Sequence, residues 1–389
     1  MIIRQYRRGI AVIPILLIVI ISILWLKPVS SESSGNNWPI ARADRGLSGY
    51  TDNRLPESPV LLWSYVNDQR ADGSPVVRNG IAYFCDRKGN IRGIGANGES
   101  VFHYPLNKSV EATGTIVDSI YYIGANDGVV SAVSLTQSDT VWTFETFGQV
   151  SGAPNWIDID GKRNITFGSY DYYMYCVDMT TGVERNKFES GYYINGSMAH
   201  WNQYVLFGGC DALVRMVDLA LGAVVDSFQA STYIPASPTI RDNRAYVADY
   251  GGNLYELILE EGGIKESRQL ITSTQEQGSM LSAPACSNDY IVVLDSESYL
   301  TTLDRNSGEE RWRIKLTGKS GESSPIISRN KVIACTKEGQ LAIIDLADGS
   351  ILWQYDVGET IVATPAVIDN RFYILTSKGR LLCFGEKEG

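Results

Sequence analysis

Thr364-Pro365-Ala366-Val367-Ile368, then Asp369-Asn370, then Arg371-Phe372-Tyr373-Ile374-Leu375, then Ser377-Lys378-Gly379, then Arg380 to Phe384, is the stretch on which the fold turns. It reads as three short β-strands joined by tight turns, because Asn, Asp and Gly tolerate the positive φ that hairpins require. A fourth strand stands one repeat earlier as Ile351-Leu352-Trp353-Gln354-Tyr355, reached from Asp345-Leu346-Ala347-Asp348-Gly349. The strands alternate or run apolar, as sheets packed on both faces demand, and nothing here has a helical period.

The string recurs. Gly73-Ser74-Pro75, Gly152-Ala153-Pro154, Ala236-Ser237-Pro238, Ser282-Ala283-Pro284, Ser323-Ser324-Pro325 and Ala363-Thr364-Pro365 each precede a β-prone run, with degenerate copies at Gly114-Thr115 and Gly196-Ser197-Met198. The markers 75, 115, 154, 198, 238, 284, 325 and 365 lie about 41 residues apart on average, close to the roughly 40 to 45 of a four-stranded propeller blade. Residues 57–389 are therefore expected to form an all-β, eight-bladed β-propeller of four-stranded antiparallel blades. Proline suits the first residue of the innermost strand, an edge facing the channel, where a missing N–H is cheapest. The last repeat stops at Phe384 after three strands, whereas Leu61-Leu62-Trp63-Ser64-Tyr65 has the form of a fourth. The N-terminal strand should therefore close blade eight and remove two exposed sheet edges.

Ahead of the repeats, Arg4, Arg7 and Arg8 precede an apolar run from Ile10 to Leu26 that ends at Lys27. Its 17 residues lie between the roughly 7 to 15 of a signal-peptide core and the roughly 17 to 25 of a spanning helix. Residues 1–31 thus read as a signal peptide, cleaved after Val29-Ser30-Ser31, or as an N-terminal signal-anchor helix holding the chain to the membrane. Either way the arginines place the chain beyond Lys27 on the far side of the membrane, and with no eukaryotic sorting feature in view the expected setting is the periplasm or cell envelope of a bacterium. No Cys ends the apolar run, so a lipoprotein form is not supported. Residues 32–56, rich in Ser, Asn and Gly, are expected to be a linker that wraps the propeller surface.

A formal net charge of -10 argues against a nucleic-acid partner. The six cysteines, Cys85, Cys176, Cys210, Cys286, Cys335 and Cys383, are scattered without any CxxC, and only His103 and His200 could join them in a metal site. They read as small buried hydrophobes.

The order Ser-Pro, strand, Asp-x-x-x-Gly and x-Trp-x-Tyr/Phe is similar to the repeat of the pyrroloquinoline-quinone (PQQ) type. Asp304-Arg305-Asn306-Ser307-Gly308 with Trp312, and Asp345 to Trp353, carry it, and Asp178-Met179-Thr180-Thr181-Gly182 carries it more weakly. The resemblance covers about residues 57 to 385 and implies the propeller. For function it implies less, because such repeats occur both in quinoprotein dehydrogenases and in BamB-like propellers, which are scaffolds without chemistry. The dehydrogenases hold their quinone against a disulfide of two adjacent cysteines; no Cys-Cys pair occurs here, and the short periods leave no room for the inserted segments of such a site. No cofactor is expected.

Trp63, Trp142, Trp312 and Trp353, with Phe102 in the same slot, recur in fourth strands and read as structural packing between blades. His103, beside Phe102, and His200, at a turn before Trp201, lack any nucleophile or metal-motif partner and read as surface or satisfied histidines. Asp158-Ile159-Asp160-Gly161 lacks the further ligands of a calcium loop and reads as a turn. Tyr192, Tyr193 and Tyr233 fall in connections leading to innermost strands, at the funnel mouth, and with Trp201 form the candidate partner-binding set. Broad rigid rings with a polar tip suit a protein or sugar partner. Tyr173 and Tyr175 are assigned to the core. The reading is a monomeric, non-catalytic scaffold of the cell envelope that binds a protein or peptide through its rim or funnel. A small-molecule or sugar-binding propeller, or a degenerate quinoprotein-type oxidoreductase, is the alternative.

Overall fold

The computed structural model describes residues 35–274 and 278–387, so the expected signal or anchor at 1–31 lies outside the described residues. Among those described there is no helix, and hence none long and apolar enough to cross a membrane. The strands form eight antiparallel sheets arranged as an eight-bladed propeller. In chain order the blades occupy residues 76–105, 115–145, 155–189, 199–229, 239–271, 285–315 and 326–356, and blade 8 joins 366–385 to Val60–Val66. Val60–Val66 pairs antiparallel with Arg380–Gly385, so the ring is closed by opposite ends of the propeller sequence, as expected. Within each blade the chain steps from the innermost strand outward. The turn after the second strand and the connection to the next blade therefore share one face, here called the mouth, and the other turns form the floor.

Two repeat features explain themselves in atoms. In six of the eight blades a hydroxyl residue at the start of the innermost segment, Ser74, Thr113, Ser197, Ser237, Ser324 or Thr364, links neighbours around the ring. Thr364 N donates to Ser74 Oγ (2.8 Å), Ser74 N to Thr113 Oγ1 (2.7 Å), Ser197 N to Ser237 Oγ (2.8 Å) and Ser324 N to Thr364 Oγ1 (3.1 Å). Ala153 N and Ala283 N donate in the same way to Ser197 and Ser324, but an alanine has no oxygen to receive the preceding blade's N–H. The second feature is the Asp-x-x-x-Gly turn. In four blades the glycine N–H bonds back to the carbonyl of the first residue, Asp178, Asp218, Asp304 or Asp345, at 2.8 to 3.0 Å. The indole of the preceding blade then lies across the turn: Trp142 Nε1 donates to Met179 O, Trp312 Nε1 to Leu346 O (both 2.9 Å) and Trp63 Nε1 to Ala96 O (2.7 Å). A Cβ on Gly182 or Gly349 would come within 2.7 or 2.8 Å of the ring, so glycine is required there for close approach as well as for φ. Trp353 instead packs edge-on against Phe372 and Phe384 of blade 8. Phe102 sits in the same slot, edge-on to Tyr83.

The linker departs from expectation. Its described part does not wrap the outer surface; it runs inside the ring along the floor end of the channel, meeting the innermost strand of every blade in turn. Trp38 and Val77 exchange backbone bonds (2.7 and 2.8 Å), and Ile116 N donates to Pro39 O (2.7 Å). Arg45 O accepts from Asn155 Nδ2 and from His200 N, both at 2.9 Å. Ile240 N donates to Gly46 O (2.7 Å), Cys286 N to Ser48 O (2.8 Å) and Ile327 N to Gly49 O (2.8 Å). Tyr50–Thr51 then adds a short parallel strand to blade 7, and Asn53 Nδ2 reaches Val367 O of blade 8 (2.9 Å). The physical reason is that eight inner edges present unpaired N–H groups to the channel, and a polar segment threaded there satisfies them. Trp38, Ile40, Ala43, Leu47 and Leu55 are buried in the process.

At the centre of this plug is Arg42, 6% exposed, whose Nε donates to Leu47 O and Nη1 to Ala283 O (both 3.1 Å), while Nη2 bonds Pro284 O. Burial pulls its guanidinium down to about 9, against the opposing pull of Asp44. Arg42, Ala43 and Leu47 adopt φ of 59°, 82° and 55°, a cluster of left-handed non-glycine residues held by the surrounding bonds.

Candidate partner-binding face

Tyr192, Tyr193 and Tyr233 do lie at the mouth, in the connections 190–198 and 230–238. Each stands against a tyrosine from the turn between the second and third strands. Tyr170 stacks on Tyr193 (centroids 4.8 Å), Tyr172 on Tyr192 (5.6 Å, 16° between planes), and Tyr233 on Tyr250 (4.6 Å, 20°). Tyr192 and Tyr193 meet edge to face at 4.6 Å, so four rings of blade 3 form one continuous group. Tyr172, Tyr192, Tyr233 and Tyr250 are exposed at the rim, and Phe147, in the connection from blade 2, is 97% exposed. Desolvation first, and then neighbouring phenols, hold the hydroxyls of Tyr172 and Tyr233 above the usual tyrosine range, so they stay neutral donors.

The turns beneath these rings are built alike. In blade 3, Asp171 Oδ2 accepts from Phe147 N (2.9 Å) and Tyr175 OH (2.7 Å), tying the blade 2 connection to blade 3. In blade 4, Asp211 Oδ2 accepts from Gly191 N (2.8 Å) and Arg215 Nη2 (2.6 Å). Burial pushes the Asp211 carboxyl up, but the Arg215 bond and two backbone donors outweigh it and hold the carboxyl below its ordinary range. In blade 5, Asp249 is fully buried and accepts from Asn253, Thr232 N and Tyr255 OH.

The fourth residue of this turn is left-handed in every blade. Five blades use glycine there: Gly89, Gly128, Gly252, Gly339 and Gly379. Blade 3 places Tyr172 at φ 77°, a bulky residue in a conformation that glycine adopts without penalty.

Trp201 does not join the group. It ends the innermost strand Ala199–Trp201 at the floor side and stacks on Tyr204 (5.5 Å), because an innermost strand runs away from the mouth. His200, expected at a turn, is in that same strand and buried. Its ring nitrogens lie 2.8 Å from Thr166 Oγ1 and from Trp156 O, and desolvation pulls its pKa down to about 3. His103 is exposed in an outer strand, 3.2 Å from Asn90 Oδ1. Asp158 to Gly161 is a hairpin turn closed by a bond from Gly161 N to Asp158 Oδ1 (2.9 Å). Tyr175 is buried and stacks on Phe167. Five cysteines are buried and Cys210 is partly so; burial holds each thiol above its ordinary value, which removes thiolate character. Among the described residues no three His, Cys, Asp or Glu side chains are grouped to hold a metal ion.

Sequence reasoning missed Tyr250, Phe147 and the pairing of Tyr170 and Tyr172 with the connection loops. Superimposing the eight turns would have exposed the tyrosine in a glycine position.

Comparison with known proteins adds a family context. The family model described as outer membrane protein assembly factor BamB matches residues 210–389. The BamB of Shewanella oneidensis is 22% identical over 73% of this chain, and this chain spans 63% of that relative's length. The crystal structure of BamB from Moraxella catarrhalis superimposes with a TM-score of 0.71 at 18% identity, over 85% of this chain and 99% of that one. The quinohemoprotein alcohol dehydrogenase of Comamonas testosteroni does so at 0.72 and 14%, over 91% and 81%. Equal likeness to an assembly factor and to a dehydrogenase speaks for the fold alone. Repeat, ring closure and these matches agree: the chain is an eight-bladed β-propeller whose repeats are similar to the PQQ type and to those of the BamB-like propellers.

Proposed function

We propose that the chain is a non-catalytic scaffold of the bacterial cell envelope that docks a protein partner on the tyrosine rim of blades 2 to 5. The observation that carries this reading is Tyr172, kept in a left-handed turn position that five other blades give to glycine. Ala212 and Ser298 hold the same left-handed position in blades 4 and 6, but only blade 3 puts a large ring there, and that ring completes an exposed aromatic face. The names of the relatives, all outer membrane protein assembly factors, support an envelope setting. Against a quinoprotein role stand the missing pair of adjacent cysteines and the short repeats.

The test is photocrosslinking in the protein's own membranes, with a photoreactive phenylalanine at position 147 or 233 of the full chain and controls at 319 and 337. A discrete adduct with an envelope protein, formed from the first pair and not from the controls, is expected. Equal labelling from all four positions, or a quinone retained in native mass spectrometry of the purified protein, would overturn the reading.

A further inference from the structure

Resting on that docking face, we infer that the segment it takes is basic, with arginine or lysine side chains seated on the exposed ring faces of Tyr172, Tyr192, Tyr233 and Tyr250. Elsewhere in this molecule four aromatic faces near the surface are covered by the chain's own cations. Arg313 lies 4.0 Å from the centroid of Tyr299, Arg241 4.3 Å from that of Tyr50, Arg45 4.5 Å from that of Trp156, and Lys187 5.0 Å from that of Tyr173. Among the described residues none of the four rim tyrosines has such a cover. A ring face with no cation of its own, near the surface and beside negative charge, attracts one from outside.

The distribution of charge around the mouth supports this. The turns and connections of blades 3 to 5 contain no Lys or Arg, yet one carboxylate stands in each turn: Asp171, Asp211 and Asp249. Arg215 neutralises Asp211, whereas Asp171 and Asp249 are bonded by N–H and O–H donors and, among the described residues, by no cation. The same loops of blades 6, 7, 8 and 1 carry cations on every blade, with Lys319, Lys337, Lys378 and Arg87 among them, alongside carboxylates that some of them pair with: Lys319 with Glu297 (3.3 Å) and Arg87 with Asp72. A basic segment thus meets carboxylates without a competing loop cation on the arc of blades 3 to 5, and carboxylates shared with loop cations on the other, so charge favours the first arc while the rings supply contact. One pair stands at the blade 3 turn and the other at the blade 5 turn, with blade 4 between, which suits an extended segment whose cations are spaced along it.

The experiment uses the full chain in detergent and fluorescence anisotropy of a labelled peptide of alternating arginine and leucine. Its partner probe replaces each arginine by citrulline, which keeps the shape and removes the charge; an acidic peptide and soluble glycan strands complete the set. The arginine peptide is expected to bind at least about ten-fold more tightly than the citrulline one. Tyr192→Ala and Tyr233→Ala should each lose most of that margin although the protein's net charge is unchanged, and Tyr192→Phe and Tyr233→Phe should retain it. Equal binding of the citrulline peptide, full affinity in the alanine variants, or preference for the acidic peptide or glycan would overturn the inference. Loss in the phenylalanine variants would do so too, since the ring face is then not what binds. If the charge inference fails while crosslinks from positions 147 and 233 persist, the scaffold reading survives without it; if the crosslinks also fail, both fall.

Discussion

The two ends of the channel are made from the same repeat and end in opposite conditions. At the floor, the chain's own residues 38–54 bond to the innermost strand of all eight blades. At the mouth, hydroxyls before the prolines link the blades, and above them the loops of blades 2 to 5 leave aromatic rings uncovered. A propeller offers inner-edge N–H groups wherever its innermost strands are bare, so an end left alone would be sticky without being selective. Filling one end from within the chain confines recognition to the other. The difference teaches that strain has two uses here. Arg42, Ala43 and Leu47 are strained inside a network that bonds them on all sides, whereas Tyr172 is strained on the surface.

The largest test of the contrast is Arg42→Ala. Ala283 O would lose its donor inside the channel, Leu47 O and Pro284 O would be left to share the single Thr239 hydroxyl, and a buried side chain would leave a hole, so stability should fall by about 3 kcal/mol. Denaturant melts of the full chain measure it; a loss under about 1 kcal/mol would mean that the plug is an ornament of the ring and not a clasp. Next in size is the pH response of His200. Its folded pKa, about 3, is depressed below the usual histidine value. The unfolded chain therefore takes up a proton that the folded chain refuses, so stability is fully present above roughly pH 6.5 and is lost as pH falls. Between pH 6.5 and 5 that amounts to about 1.5 to 2 kcal/mol. Asp44, whose carboxyl burial raises, works with opposite sign. His200→Gln should flatten the slope; an unchanged slope would show that another group titrates.

The ring was legible because its determinants recur. Proline and glycine report backbone geometry directly, and eight copies average out the noise of any one. The plug was not legible, since it bonds mostly through backbone N–H and C=O groups that every residue carries, and nothing in Arg42-Ala43 announces left-handed φ. The face of Trp201 was missed for a related reason: its position at the far end of the innermost strand sends it to the floor, and a residue's distance from the proline marker does not by itself say at which end of the strand it emerges. Tyr192, Tyr193 and Tyr233 were found from loop position alone, while their partners Tyr172 and Tyr250 needed the turns to be compared blade by blade.

A smaller effect sharpens the repeat logic between the two ends. Blade 3 has Asn186, opposite Cys176, where blades 2, 6 and 7 have Trp142, Trp312 and Trp353. A cleft of about 380 Å³ lined by Asn186, Leu219 and Asn164 opens there between blades 3 and 4. Gly222 (φ 74°) already matches the equivalent Gly182 (φ 71°) beneath Trp142. Asn186→Trp should fill the cleft and raise stability by about 1 kcal/mol, and adding Gly222→Ala should cancel the gain by thrusting a Cβ into the new ring. If the double variant keeps the full gain, the indole is not docking on the turn as it does in blade 2.

The smallest expected change in stability is the most informative about function. Tyr172→Gly returns blade 3 to the residue used by five other blades and relieves a left-handed side chain, while removing a stack on Tyr192 worth a similar amount. The two effects nearly cancel, so the melt should move by no more than about 0.5 kcal/mol, with relief favoured because Tyr172 is exposed. Crosslinking from position 233 and capture of the arginine peptide should nevertheless fall steeply. A variant as stable as the parent and poorer at binding is what a residue kept for recognition predicts. A marked loss of stability with binding intact would return Tyr172 to the fold and leave the mouth with no more claim to a partner than the floor.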